Sequence, residues 1–520
     1  VHQRLHIRHL EIIALLAILV LAAFLRLNEG AHNPGWYADE GTHVFIARSL
    51  VAGDVQYMAI GQSTLLFARL PLFEVLLALV YRLGGEGMAG LRALTGLLGV
   101  VSVGTLYCCV RLTRSDPILA LLAALLLAIY PQAVLYSRFG FSYNLLAPLT
   151  LVVYLGLWDY LSVSRPRRGL AWAALAIGLG AVSDLWMLAL VAPMVAIILL
   201  CRPRDALWAV PLALLPFGLY VGLMLVWAPD PFLFDVGFTL SRLTRLSLWA
   251  QLKSLALNYA ILIGQDHWMA LALVGLFLLP DARLRRLSLL FLLFPIAAIG
   301  RTEALVSLSA YYTIPFLPFI SLGVAVLLRR GVPYVLDSVL AAVRSLTESR
   351  GRNPTPWKRW VTMGCAGLIV FSVIGSPFLT STIHLANQTR SGFSTAIDPF
   401  LIDAEDGRAA AEYLNARTRA GDVVIASPGL GWLFDADVAD PQMAVAFSGR
   451  AMPHLPADIP PERYVFNPDY RRARFIAVDN YWTNWAVHNV AGVADMMVAL
   501  EDWALVFESG EIRIFANPQL

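Results

Sequence analysis

The sequence predicts a polytopic α-helical membrane protein, with about eleven transmembrane helices and a C-terminal extracytoplasmic α/β domain, and three observations predict it. Of the 520 residues, 58% are hydrophobic and only 14% charged, with a mean hydropathy of +0.66, which no soluble chain of this length accommodates. Apolar stretches of spanning length recur as far as Phe378, and arginine clusters separate them. From about Gly407 the pattern changes to short amphipathic elements with turn residues between them.

A hydrocarbon core needs roughly 20 apolar residues per helix, fewer when flanking side chains snorkel. The stretches Leu10 to Leu27, Ala89 to Leu112, Pro117 to Tyr136, Leu145 to Leu161, Leu170 to Val182 and Leu185 to Leu200 meet this requirement. So do Ala206 to Trp227, Ala260 to Leu279, Leu287 to Ile299, Ala304 to Leu328 and Val361 to Phe378. Arg4 and Arg8 precede the first stretch, and Arg26-Leu27-Asn28-Glu29 follows it in place of a small-residue cleavage site, so it reads as an uncleaved anchor.

Ser63 to Leu83 is apolar enough to cross but carries Arg69, Pro71 and Glu74 near its start. Parity decides its placement. If it stays on one side, the clusters Arg111/Arg114, Arg165/Arg167/Arg168, Arg202/Arg204, Arg283/Arg285/Arg286 and Arg329/Arg330 to Lys358/Arg359 all share the cytoplasmic side with the N-terminus. If it crosses, every cluster faces outward. The segment is therefore expected as a juxtamembrane or re-entrant helix pair in an external loop, 28–88. The organisation that follows is a transmembrane module over 1–383, a cytoplasmic linker over 331–359 with an interfacial helix at Val332 to Leu346, and an external domain over 384–520. A bacterial-type inner membrane is the expected location.

In the tail, a helix at Gly407 to Arg419 leads through Gly421-Asp422 into a strand at Val423 to Ser427. Further strands are expected at Arg474 to Val478, Trp503 to Phe507 and Glu511 to Phe515, the last two joined at Ser509-Gly510. The chain has no glycine-rich phosphate loop, nucleophile elbow or internal repeat, which leaves the tail a covering or acceptor-binding role. A formal net charge of +3 gives no reason to expect a nucleic-acid partner. All four cysteines lie in or beside apolar stretches and none in the tail, so neither a disulfide framework nor a zinc spacing is available.

Chemistry concentrates in the loop after the first helix, Asn33-Pro34-Gly35-Trp36-Tyr37-Ala38-Asp39-Glu40-Gly41-Thr42-His43. Adjacent carboxylates beside a membrane are costly and call for a reason. The bland reason is that Asp39 caps a helix and Glu40 favours its first-turn dipole. The functional one is proton abstraction by a positioned carboxylate.

The order Asp39-Glu40, Arg69-Leu70-Pro71, Leu83-Gly84-Gly85, Leu91-Arg92-Ala93-Leu94, Tyr130-Pro131 and Tyr136-Ser137-Arg138 resembles the GT-C membrane glycosyltransferases. Within these it is similar to the protein O-mannosyltransferase and aminoarabinose transferase group. Tyr312, Pro315 and Pro318 in a late helix, Tyr413-Leu414-Asn415 and Gly421-Asp422 continue the resemblance. It implies a sugar donor on a polyprenyl phosphate, membrane lipids as surroundings, an acceptor of unknown identity, and inverting transfer on the external face. Carried over to this chain, the general base is Asp39 with Glu40 as its catalytic neighbour. External arginines, Arg69, Arg92, Arg138 and Arg301, would hold the donor phosphate, since the guanidinium fork matches phosphate oxygens. Their bland alternative is snorkelling or structural pairing with the two acids. Tyr312, Asn144 and Asp184 are the candidate substrate contacts.

Two departures stand out. Where many relatives carry an aspartate five residues after the arginine matching Arg138, this chain has Tyr143. Where aminoarabinose transferases have a lysine in a short turn, it has Asp184, which suggests another donor or a divalent metal bridging to the phosphate. His43, Asp266 and His267 are the candidate metal ligands. Tyr481, Trp482 and Trp485 would either stack on an acceptor sugar or fill the tail's core. The alternative reading of the whole chain is a non-catalytic scaffold or accessory subunit derived from this fold.

Overall fold

The computed structural model describes residues 2–62, 70–162, 166–243, 247–300, 307–331, 371–386, 400–450 and 458–520, with a few isolated positions besides. Each apolar stretch anticipated within these residues is helical. They form α1 (His2–Leu27), α4 (Gly87–Arg114), α5 (Pro117–Ile129), α6 (Pro131–Arg138), α7 (Tyr143–Leu161), α8 (Pro166–Ala181), α9 (Val191–Cys201), α10 (Ala206–Trp227), α12 (Leu248–Gln265), α13 (His267–Phe277), α14 (Ala282–Gly300) and α15 (Leu317–Val326). Between α1 and α4 lie α2 (Ala38–Ala52) and α3 (Pro71–Arg82), and between α10 and α12 lies α11 (Pro229–Leu243). The interfacial helix anticipated at Val332 to Leu346 lies outside the described residues, as do most positions of 361–370, while the rest of the stretch Val361 to Phe378 is helical, through the turn Phe371–Gly375 into α16 (Ser376–Ala386).

Among the described residues, five helices are long and apolar enough to cross a membrane, or up to seven if each of two bent pairs is one span, beside the eleven spans expected over the whole chain. Backbone breaks divide two of the expected spans. Pro131 cannot donate to the preceding turn, and α5 and α6 meet at 55°. The single helix expected from Ala260 to Leu279 is likewise two: α12 and α13 bend by 96° at Asp266, whose carboxylate caps the second by accepting from Trp268 N at 3.0 Å.

A broken helix in an apolar surround exposes carbonyls that must find donors. Arg26, near the end of α1, donates to the carbonyls of Ala128 at 2.8 Å and Leu127 at 2.9 Å, and the Ser381 hydroxyl covers Ile129 at 2.8 Å. In return Arg138, at the end of α6, donates to the α1 carbonyl of Leu25 at 3.0 Å. Arg26 thus places its positive charge at the negative end of α5, and Arg138 places its own at the negative end of α1.

The tail contains a five-stranded sheet in the order β6 (Asp437–Ala439), β5 (Val423–Ala426), β7 (Phe475–Val478), β9 (Ile512–Ala516), β8 (Ala504–Ser509). The first three are parallel and the last two pair antiparallel. Buried runs such as Phe475–Val478 supply its core. The helix α17 (Ala404–Asn415) packs on it, capped by Asp403. β6 is short and was absent from the sequence expectation.

The tail is bound to the first loop through backbone. β1 (Trp36–Tyr37) pairs antiparallel with β4 (Leu401–Ile402). The hairpin of β2 (Gln56–Tyr57) and β3 (Ile60–Gly61) meets Tyr464 through a β-bridge, and Val465 N donates to Ala59 O at 2.9 Å. The start of α2 lies directly on α18 (Pro428–Gly431): a Cβ at Gly41 would collide with the Pro428 carbonyl, so only glycine allows this approach.

Candidate active site

The acid pair opens α2, and the local backbone separates its members. Tyr37 is the extended N-cap residue, and Glu40, at the third helical position, folds back to accept the Tyr37 N–H at 2.8 Å. This turns the Glu40 carboxylate inward. There it accepts from Arg92 Nε at 2.7 Å, Arg92 Nη2 at 2.6 Å and the Gly140 N–H at 2.5 Å. Arg92 donates its other N–H groups to the carbonyls of Gly30, at 2.9 Å, and Gly35. Both side chains are almost wholly buried, at 0% and 1% exposed.

This geometry engages two of the candidate site residues with each other. Glu40 has no oxygen free to face an acceptor, and Arg92 has no free edge for a phosphate. Together they are the bidentate tie that holds α2 against α4. Arg138 is engaged similarly: the residue is 1% exposed and donates to the carbonyls of Leu25 and, at 3.2 Å, Asn33. Asn144, expected to touch substrate, is buried and donates to the carbonyls of Tyr136 and Phe141, each at 3.0 Å. Arg69 and Arg301 lie outside the described residues.

Asp39 points the other way. It is partly exposed, and the Tyr311 hydroxyl donates to its Oδ2 at 3.3 Å. Around it stand rings from four parts of the chain. Tyr311 stacks on Phe141 at 4.4 Å between centroids and lies 4.5 Å from Tyr312, which meets Tyr143 edge-on at 5.1 Å. Tyr37 packs on Phe141 at 5.3 Å and on Phe400, just before the tail's first strand, at 5.7 Å. The structure thus brings Asp39 and Tyr312 to one aromatic cup, and Tyr143, where relatives carry an acid, supplies a ring of its wall. Tyr37, Phe141, Tyr311 and Phe400 were not anticipated. The aromatic doublet Tyr311-Tyr312 beside Pro315 and the spacing Phe139, Phe141, Tyr143 were the available signals.

The candidate metal ligands lie in separate places. His43 Nδ1 lies 2.6 Å from Glu74 Oε1 in a pair buried between α2 and α3. Asp266 accepts from the Tyr130 hydroxyl and caps α13, while His267 is exposed. Among the described residues no three metal-ligating side chains converge. In the tail, Trp482 and Tyr481 are buried in the core, and Trp485 is half-buried beside Phe400 at 5.4 Å.

An apolar groove of about 510 Å³ lies between α10, α11 and the 3-10 turn Leu185–Leu190, lined by Leu185, Leu188, Phe217, Tyr220, Phe232 and Val236. One end is tied to the first loop. Leu70, at the start of α3, packs with Tyr220 and Phe232, and Leu72 N donates to the Val182 carbonyl at 3.0 Å. Asp184 stands beside this contact, partly exposed, and caps the turn through Trp186 N at 3.0 Å. The His43–Glu74 pair then joins α3 to α2, which carries Asp39 in its first turn.

This architecture is that of known membrane glycosyltransferases. The crystal structure of ArnT from Cupriavidus metallidurans bound to undecaprenyl phosphate matches with a TM-score of 0.63 at 16% identity, covering 97% of this chain and 98% of that one. Its apo state matches at 0.66 and 16%, covering 97% of each. The archaeal oligosaccharyltransferase AglB from Archaeoglobus fulgidus, in complex with an inhibitory peptide and a dolichol-phosphate, matches at 0.55 and 14%, covering 98% of this chain and 74% of that one. The chain has the GT-C fold, as a multi-pass membrane protein. Within it, residues 69–229 match the model of the dolichyl-phosphate-mannose-protein mannosyltransferase family. No curated protein matches the chain by sequence.

Proposed function

We propose that this protein transfers a monosaccharide from a polyprenyl-phosphate donor to an acceptor hydroxyl on the extracytoplasmic face of a bacterial-type inner membrane. The observation that carries the reading is the division of labour within the acid pair: Glu40 is sealed in a structural tie, and Asp39 is presented, partly exposed, to an aromatic cup. Asp39 takes the acceptor proton as the acceptor oxygen bonds to the anomeric carbon. The bond from that carbon to the phosphate oxygen breaks on the opposite face, so the configuration inverts and polyprenyl phosphate leaves with the electron pair. Its prenyl chain occupies the groove of Leu185, Phe217 and Phe232. Arg69, which precedes Leu70 in the sequence, and Arg301, ten residues before Tyr311, are the cations proposed for the phosphate. Tyr312 and Asp184 remain the proposed substrate contacts. The residues described do not make a metal site, and no step is assigned to one.

The test is purified protein in lipid vesicles with undecaprenyl-phosphate-linked sugars, read as release of undecaprenyl phosphate. Asp39→Asn is expected to lower the rate by about 100-fold or more, the contribution of a general base, with folding unchanged. Full activity in that variant would mean that the base is elsewhere. One observation favours the second reading, an accessory protein that has lost its chemistry: the described arginines expected at the phosphate are both engaged structurally. Wild-type protein that binds the lipid but turns over no donor would select it.

A further inference from the structure

The helix α11 is a wall shared by the tail and the groove. Its residues Phe232, Val236, Thr239 and Leu240 recur at helical spacing and line the groove. Phe234 and Phe238, one turn apart on another face, pack against the hydrophobic core of the tail. Between these faces lies Asp235, fully buried, which would be prohibitively placed without a partner.

That partner comes from the tail. Arg463 donates from Nη1 to Asp235 Oδ1 at 3.1 Å and from Nη2 to Oδ2 at 3.5 Å, across 228 residues of chain. Its Nε donates to the Gly61 carbonyl at 2.9 Å. One guanidinium, 1% exposed, therefore joins three parts of the chain: the tail, the first-loop hairpin and the groove wall. A planar fork fixes both the distance and the rotation of its partner. Rotation is what matters here, since turning α11 about its axis would carry Phe232 and Val236 away from the groove.

We propose that Asp235 and Arg463 are positioning residues for the lipid donor: through them the tail sets the rotation of α11 and so the width of the groove that receives the prenyl chain. The inference rests on the donor reading given above. It makes the tail part of the lipid site without touching the lipid.

The test is binding of undecaprenyl phosphate to the full chain in nanodiscs, by native mass spectrometry at graded lipid concentrations. Asp235→Asn and Arg463→Gln are each expected to weaken binding by about tenfold, within the range by which coupled sites act on one another. Arg463→Lys keeps the buried charge and loses the fork; it serves as the folded variant and is expected to weaken binding in the same direction. In turnover, the loss should appear as a raised donor KM with kcat nearly unchanged, which a general loss of folded protein would not produce. Wild-type affinity in Arg463→Lys and in any folded neutral variant would overturn the positioning role and leave the donor reading standing. Failure of the wild-type chain to bind undecaprenyl phosphate would overturn the donor reading, and this inference with it.

Discussion

Replacing Glu40 by glutamine separates a structural acid from a catalytic one. The carboxylate accepts four hydrogen bonds, from Tyr37 N, Gly140 N and two nitrogens of Arg92. Glutamine has one acceptor oxygen, so its amide nitrogen would face donors at the other position, beside an arginine left charged and buried. Breaking a buried pair from one side costs about 3–5 kcal/mol. That is a large share of the roughly 5–15 kcal/mol by which a typical domain is stable. At about 2–4 °C per kcal/mol, the unfolding midpoint should fall by on the order of 10 °C, or the protein should not accumulate. The assay is thermal unfolding in detergent followed by size-exclusion chromatography, alongside Asp39→Asn, whose midpoint should stay near wild type. A Glu40→Gln protein with wild-type stability and no transfer would refute the assignment and return Glu40 to the chemistry.

Two further outcomes follow from the tail. Burial raises the carboxyl of Asp440 from the ordinary carboxylate range to about 7 and that of Asp479 to about 6. The folded tail therefore holds protons that the unfolded chain releases near pH 4, so this contribution to stability is full below pH 4 and is lost as pH rises through about 6–7. Asp440→Asn, which keeps a capping oxygen for Met443, should flatten the dependence and raise stability at pH 8; an unchanged pH profile of thermal unfolding would count against it. Gly41→Ala places a methyl group against the backbone carbonyl of Pro428, which cannot yield as a side chain would. Faster hydrogen exchange in α18 with unchanged exchange in α4 is expected, and unaltered exchange would show that the tail does not sit this close.

Much of the fold was legible because its signals are local. Apolar length located most of the described helices before the tail, though not α11, and in the tail the strands at Val423, Arg474, Trp503 and Glu511 lie within a residue or two of β5, β7, β8 and β9. Hydropathy does not register whether a helix is continuous, so the bend at Asp266 was invisible although the residue that makes it was noticed for other reasons. The site was half legible. That an acid pair opens α2 can be read from Asp39-Glu40; which acid is sealed in a buried tie cannot, because the answer lies in Arg92, 52 residues away, and in the N–H of Gly140. The aromatic cup was missed because Tyr37, Phe141, Tyr311 and Phe400 come together only in three dimensions.

The exchange of arginines between α1 and the α5–α6 break has a consequence for biosynthesis. When α1 enters the bilayer, Arg26 has none of its partners beyond its own helix, and the Leu25 carbonyl still lacks Arg138; those partners lie 102 and 113 residues further on. At roughly 5–20 residues per second, the ribosome takes about 5–20 s to deliver them. For that interval the Arg26 guanidinium needs water or other groups in their place, and its final set of hydrogen bonds closes only when the bent α5–α6 pair arrives.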